Sequence, residues 1–168
     1  MNTNDLAAAY QRLIAVAQAI SDDSPLDADQ RADVDWTLCH VALSDQILTQ
    51  AARQVRSDQP ETTGKLVVNN QPAMDPTAIA AMTAATTHKD RIAAVRQHAD
   101  GLIAELDQTP DQAAQAPLVL RFHDKTGHHV SDTDMTWADL IDLRGHQHIP
   151  VHATRLNSYP TAPARVNE

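Results

Sequence analysis

Leu6, Tyr10, Leu13, Ala17 and Ile20 recur at spacings of three and four, and this period predicts a first amphipathic helix over residues 3–20. The aspartate-rich stretch 21–33, with Pro25, reads as a loop. A second helix is predicted from Asp35 as N-cap to Arg56, burying Leu38, Val41, Ala42, Leu48, Ala52 and Val55. The third has a clear start: Asp75 can cap free amides while Pro76 takes the first helical position, where its missing N–H costs nothing. Its apolar stripe, from Ile79 through Ile92 and Val95 to Leu106, includes His88 and predicts one helix over 76–106.

From Pro117 the period changes to two. Leu118, Leu120 and Phe122 alternate with Val119, Arg121 and His123 before a turn at Asp124, Lys125, Thr126 and Gly127, so 117–131 reads as a short β-hairpin. Thr136 and Asp139 form a capping-box pattern that opens a last helix to residue 158, and the proline-containing tail 159–168 is expected to be disordered. The expected fold is all-α: a single four-helix-bundle domain over 1–158 with a hairpin before the last helix. The connection 57–74 is long enough to run the length of such a bundle, which allows helices two and three to be parallel.

Composition adds constraints. A chain of 168 residues can bury a core large enough to fold without disulfides or a structural metal, and its few aromatics suit interlocking helices. Thirteen basic residues, scattered against 22 acidic ones, give a net charge of −9, which speaks against nucleic-acid binding because phosphate neutralisation needs a basic patch. There is no apolar run of membrane-span length, and Asn2, Thr3, Asn4 and Asp5 do not resemble a leader, so a cytoplasmic protein without membrane contact is expected. The single cysteine, Cys39, excludes an internal disulfide and agrees with a reducing compartment.

Nine histidines then need placing. His98, His123, His128 and His129 fall on an exposed helix flank or on the hairpin and read as solvated side chains. His148 and His152 are four apart on a helix whose inward face otherwise carries Ile141, Gly145, Leu156 and Tyr159, so two imidazoles point at the core together. Burying both unpaired would cost several kcal/mol, which either a divalent cation or a set of hydrogen bonds could offset. His40, beside the core stripe of helix two, is the best third ligand. Pro150 inside this helix removes the bond to the carbonyl of His146 and predicts a kink at the same place.

Trp36-Thr37-x-x-His40 opening a helix, with a late Arg144-Gly145-x-x-His148-Ile149-Pro150-x-His152, resembles the DinB-like superfamily over nearly the whole chain. Within it the chain is most similar to the N-terminal domain of mycothiol-dependent maleylpyruvate isomerases, although those would place a glutamate where His148 stands. The resemblance implies a four-helix bundle, a homodimer and a divalent metal held by His40, His148 and His152. It also implies a low-molecular-weight thiol cosubstrate such as mycothiol or bacillithiol.

Three protein ligands leave positions open on zinc, the first choice of metal ahead of nickel, iron or manganese, where a thiol or water can be activated. The leading expectation is a metal- and thiol-dependent transferase or isomerase acting on a small molecule. One rival is a metal-dependent hydrolase, for which His88 is the only core-facing base to name. Another is a non-catalytic metal-binding or stress-response protein. Cys39 reads as a small buried thiol, Asp27, Asp29, Asp33 and Asp35 as a solvated acidic turn, and Trp36 and Trp137 as core anchors.

Overall fold

The computed structural model describes residues 3–57 and 65–161 and is mostly helical, with a small three-stranded sheet. The first helix, α1 (Asn4–Ala19), buries Leu6, Tyr10, Leu13 and Ala17 along one face, as its period requires. The second, α2 (Ala28–Arg56), begins earlier than predicted. The Asp27 carboxylate accepts from the Gln30 amide at 2.8 Å while Gln30 Oε1 accepts from the Asp27 amide at 3.1 Å, and this capping box outcompetes the expected start at Asp35. Asp35 lies inside the helix and pairs with Arg91 at 2.6 Å.

The third predicted helix is two helices. Pro76–Ala85 (α4) does start under the Asp75 cap, but the chain turns extended at Thr86 and a second capping box, Thr87 with Asp90, opens α5 (His88–Asp107). Arg91 Nη1 donates to the carbonyls of Thr83 and Thr86, satisfying acceptors that the end of α4 leaves free. The periodic stripe carried no sign of this break, because it continues in phase across the two β-branched threonines.

The predicted hairpin is part of a larger sheet. Strand β2 (Pro117–His123) pairs antiparallel with β3 (His129–Thr136), which runs beyond the expected Ser131, and on its other side pairs parallel with β1 (Leu66–Asn69). Gly127, at φ 79°, supplies the left-handed residue of the β2–β3 turn. A short helix α3 (Gln71–Met74) follows β1, and a 3₁₀ turn (Asp111–Gln115) precedes β2. His123, expected in solvent, is buried beside Asn70, whose side-chain oxygen accepts from its amide at 2.7 Å.

Contacts along α2 and α5 run in the same order, Asp35 with Arg91, Gln46 with His98 and Arg53 with Glu105, so these helices are parallel. By the same test α1 is antiparallel to α5, with Thr3 on Asp107 and His88 on the Ala17 carbonyl. Their shared core holds Leu13, Leu38, Val95, Leu102, Trp137 and Leu156, each fully buried. Among the described residues no helix is long and apolar enough to cross a membrane.

The last helix opens under the predicted Thr136–Asp139 capping box as α6 (Trp137–Leu143), widens into a π-helical turn (Arg144–His148), and continues as α7 (Ile149–Asn157). The Ile149 amide bonds the carbonyl of Arg144 five residues back, so the distortion expected from Pro150 takes the form of a π-bulge just before it. Tyr159 is packed against the core and donates to Asp33 Oδ2 at 2.9 Å, which orders the first residue of the expected tail. Residues 162–168 of that tail lie outside the described residues.

Candidate metal centre

Helix α2 lies antiparallel to the last helix, bringing Thr37 to Arg155 and Asp45 to Arg144. His40 is thereby set opposite His148 and His152, one helical turn apart on the facing strip of the last helix. One ring nitrogen from each of the three lies within 4.8 Å of the others. His40 Nε2 and His148 Nε2 are 3.1 Å apart. Ligands at about 2.1 Å around one ion would be separated by about 3.4 Å in a tetrahedral site and about 3.0 Å in an octahedral one, so this spacing suits a shared cation.

The second ring nitrogens define the proton positions. His40 Nδ1 faces the Ala73 carbonyl at 2.8 Å, and because a carbonyl only accepts, Nδ1 carries the hydrogen and Nε2 presents its lone pair. This is the outer-shell arrangement that favours a metal ligand. Trp36 stacks on the same ring at 4.7 Å between centroids and fixes its plane. At His148 the neighbour is a donor instead: Arg144 Nη1 lies 3.0 Å from Nδ1, and Arg155 Nη2 lies 3.2 Å from Nδ1 of His152. A guanidinium cannot accept, so without an ion Nε2 of His148 holds the hydrogen and donates it to His40. A cation held through Nε2 would need that hydrogen on Nδ1, facing the Arg144 guanidinium.

All three imidazoles are held neutral. Burial, reinforced by Arg144 and Arg155, lowers His40 to about 4. For His152, burial and the neighbouring His40 lower it to about 3, and burial with Arg144 pushes His148 far below the ordinary histidine range. Neutral imidazole is the ligating form. The donor set therefore fits a divalent ion of borderline softness in number, spacing and protonation.

Behind the triad lies a buried polar chain. Asp45 is completely buried, and its Oδ1 accepts from Tyr10 at 2.5 Å and from Arg144 Nε and Nη2 at 2.9 and 2.5 Å. Arg144 also donates to the Val41 carbonyl at 3.3 Å, so the guanidinium that touches His148 is itself fixed. Sequence reasoning placed Arg144 in a motif, read Tyr10 only as part of the apolar stripe of the first helix, and gave Asp45 no role.

In front of the triad opens a cavity of about 470 Å³. Apolar side chains, among them Leu48, Val68, Leu120, Phe122, Leu140 and Leu143, make most of its wall, and the three histidines with Arg144 form its polar corner. Trp36, expected in the core, lines this cavity instead. Its ring carries Lys125 Nζ at 4.1 Å, while Asp33 holds both Lys125 at 3.3 Å and Arg155 at 3.0 Å. The acidic loop is thus partly structural: Asp27 caps, Asp33 ties the mouth of the cavity, and Asp35 pairs. His88, the sequence candidate for a base, does not line the cavity, because its Nε2 is 3.0 Å from the Ala17 carbonyl on α1. Cys39 is buried next to Thr83. No family model, curated protein or solved structure matches the chain.

Proposed function

We propose that this protein is a divalent-metal protein of the DinB-like type, a four-helix bundle with long crossovers, in which His40, His148 and His152 hold the ion and the apolar cavity receives a small-molecule substrate. The observation that carries this reading is the convergence of three neutral imidazoles at the polar corner of that cavity, with no fourth histidine, cysteine or carboxylate completing the cluster among the described residues. The metal of choice is zinc, with nickel, iron and manganese compatible with imidazole ligands.

When bound, such an ion supplies Lewis acidity at an open coordination position, enough to bring a thiol into its anionic form near neutral pH. The residues around it do the rest. Ala73 and Trp36 orient His40; the Tyr10–Asp45–Arg144 chain sets the rear of His148; the apolar wall excludes water from the reacting groups. The activity we infer is transfer to, or isomerisation through, a low-molecular-weight thiol, supported by the open site and by the Trp36–His40 and Arg144–His152 motifs. The same resemblance carries with it a homodimer. A hydrolase is less well served, since the base it required is turned to the Ala17 carbonyl.

The test is metal content after dialysis against a weak chelator, followed by a screen of electrophilic small molecules with mycothiol, bacillithiol and no thiol. One equivalent of metal is expected in the parent protein and a small fraction of it in His152→Ala, because two imidazoles are a poor chelate. Retention of a full equivalent by His152→Ala sinks the ligand assignment. Stoichiometric metal with no thiol-dependent turnover would move the reading to sequestration or sensing.

A further inference from the structure

The carboxylates around the cavity are engaged elsewhere and do not reach the triad. Arg144 is matched by the buried Asp45, and Lys125 and Arg155 share Asp33. Asp124, also on the wall, turns its Oδ1 onto the amides of Thr126 and His128 and the Thr126 hydroxyl within its own turn. Among the described residues no carboxylate belongs to the ligand cluster. A divalent ion on three neutral imidazoles therefore keeps its whole charge, next to the Arg144 guanidinium and close to the ammonium of Lys125. Apart from Ser44 and Asn70 the rest of the cavity wall is apolar, and a cation in such surroundings draws in an anion.

We infer that the cavity binds small anions with an apolar tail, a carboxylate or thiolate head at the three-histidine corner and a hydrocarbon body of several carbons against Leu48, Val68, Leu120, Phe122, Leu140 and Leu143. This rests on the metal reading above and specifies its ligand. A hydroxyl-rich thiol finds few polar partners along that wall, so the apolar anion is the substrate and the bulk of a sugar-bearing cosubstrate stays at the mouth. Phe122, which is 42% exposed and whose substitution leaves the core intact, forms part of the tail's contact surface.

The experiment uses the full chain loaded with cobalt(II), whose visible d–d spectrum reports on the coordination sphere directly. Cobalt uptake is measured first; then acetate, hexanoate, hexane-1-thiol, hexan-1-ol and hexylamine are titrated in. Hexanoate and the thiol are expected to change the spectrum, the thiol alone adding a sulfur-to-cobalt charge-transfer band that separates the two head groups. Each buried methylene contributes roughly a fourfold gain in affinity, so hexanoate should bind on the order of a hundredfold more tightly than acetate. Phe122→Ala should shrink that ratio several-fold while leaving cobalt uptake unchanged. Equal affinities for acetate and hexanoate, or equal responses to hexanoate, hexanol and hexylamine, overturn the inference while leaving the metal site standing. Stoichiometric cobalt that no anion perturbs does the same. Failure to take up cobalt at all overturns the metal reading, and the inference falls with it.

Discussion

Asp45→Asn probes the support behind the triad without touching a ligand. The substitution is nearly isosteric, yet it removes the only countercharge, among the described residues, of a guanidinium that is 5% exposed and donates two hydrogen bonds to a fully buried carboxylate. Removing one partner of a buried pair leaves an uncompensated charge and costs about 3–5 kcal/mol. For a domain whose stability is about 5–15 kcal/mol this is a large fraction of the whole. Urea unfolding of the metal-free protein, followed by far-ultraviolet circular dichroism, should show a lower midpoint with an unchanged slope. The double variant Asp45→Leu/Arg144→Met removes both charges and should recover most of the loss, because an apolar pair has no desolvation to offset. It should also free Nδ1 of His148 and leave zinc binding at least as tight as in the parent. A loss under about 1 kcal/mol for Asp45→Asn, or a double variant no more stable than the single one, would refute the argument that this pair is buried and mutually dependent.

Stability of the metal-free protein should fall with acid. His40 and His152 titrate near 4 and 3 in the fold against about 6.5 unfolded, so between those values the unfolded chain binds more protons. Their contribution is complete above about pH 7 and is lost as pH falls through 6.5 towards 4, with His40 alone removing about 2 kcal/mol by pH 5; urea midpoints at pH 7.5 and 5 measure it, and equal midpoints contradict it. Arg155→Met removes a positive charge and a donor aimed at Nδ1 of His152, and should raise zinc affinity roughly tenfold in competition with a chromophoric chelator. Weaker binding would mean that Arg155 supports the site through Asp33 instead. Thr87→Ala deletes the cap that opens α5 and should cost about 1 kcal/mol in the same urea assay, whereas in an unbroken helix the change would be neutral or favourable.

Where a single local signal over neighbours three or four residues away stood unopposed, the sequence by itself determined the outcome. The stripe Leu6, Tyr10, Leu13, Ala17 became the buried face of α1, Asp75–Pro76 began a helix, Thr136–Asp139 capped another, and the spacing of His148 and His152 put both rings on one face. Local signals decided wrongly only where two competed. Asp27 with Gln30 offered a reciprocal cap that Asp35 could not, and an unbroken apolar phase hid the stop at Thr86. Strand β1 escaped notice because four residues, Leu66–Asn69, become a strand only through the parallel pairing with Leu118–Arg121.

What tertiary structure alone decided was the joining of distant residues. His40 was a candidate on its own helix, and antiparallel packing of α2 against the last helix carried its Nε2 to within 3.1 Å of His148. Asp45 looked like any helical aspartate until the same packing placed it on Arg144, and Trp36 read as a core anchor until the β2–β3 turn laid Lys125 over its ring. Helical period fixes which way a side chain points along its own axis, but the partner it meets is set by how separately formed helices dock. That docking is driven by apolar burial spread over the whole core, so no short stretch of sequence records it.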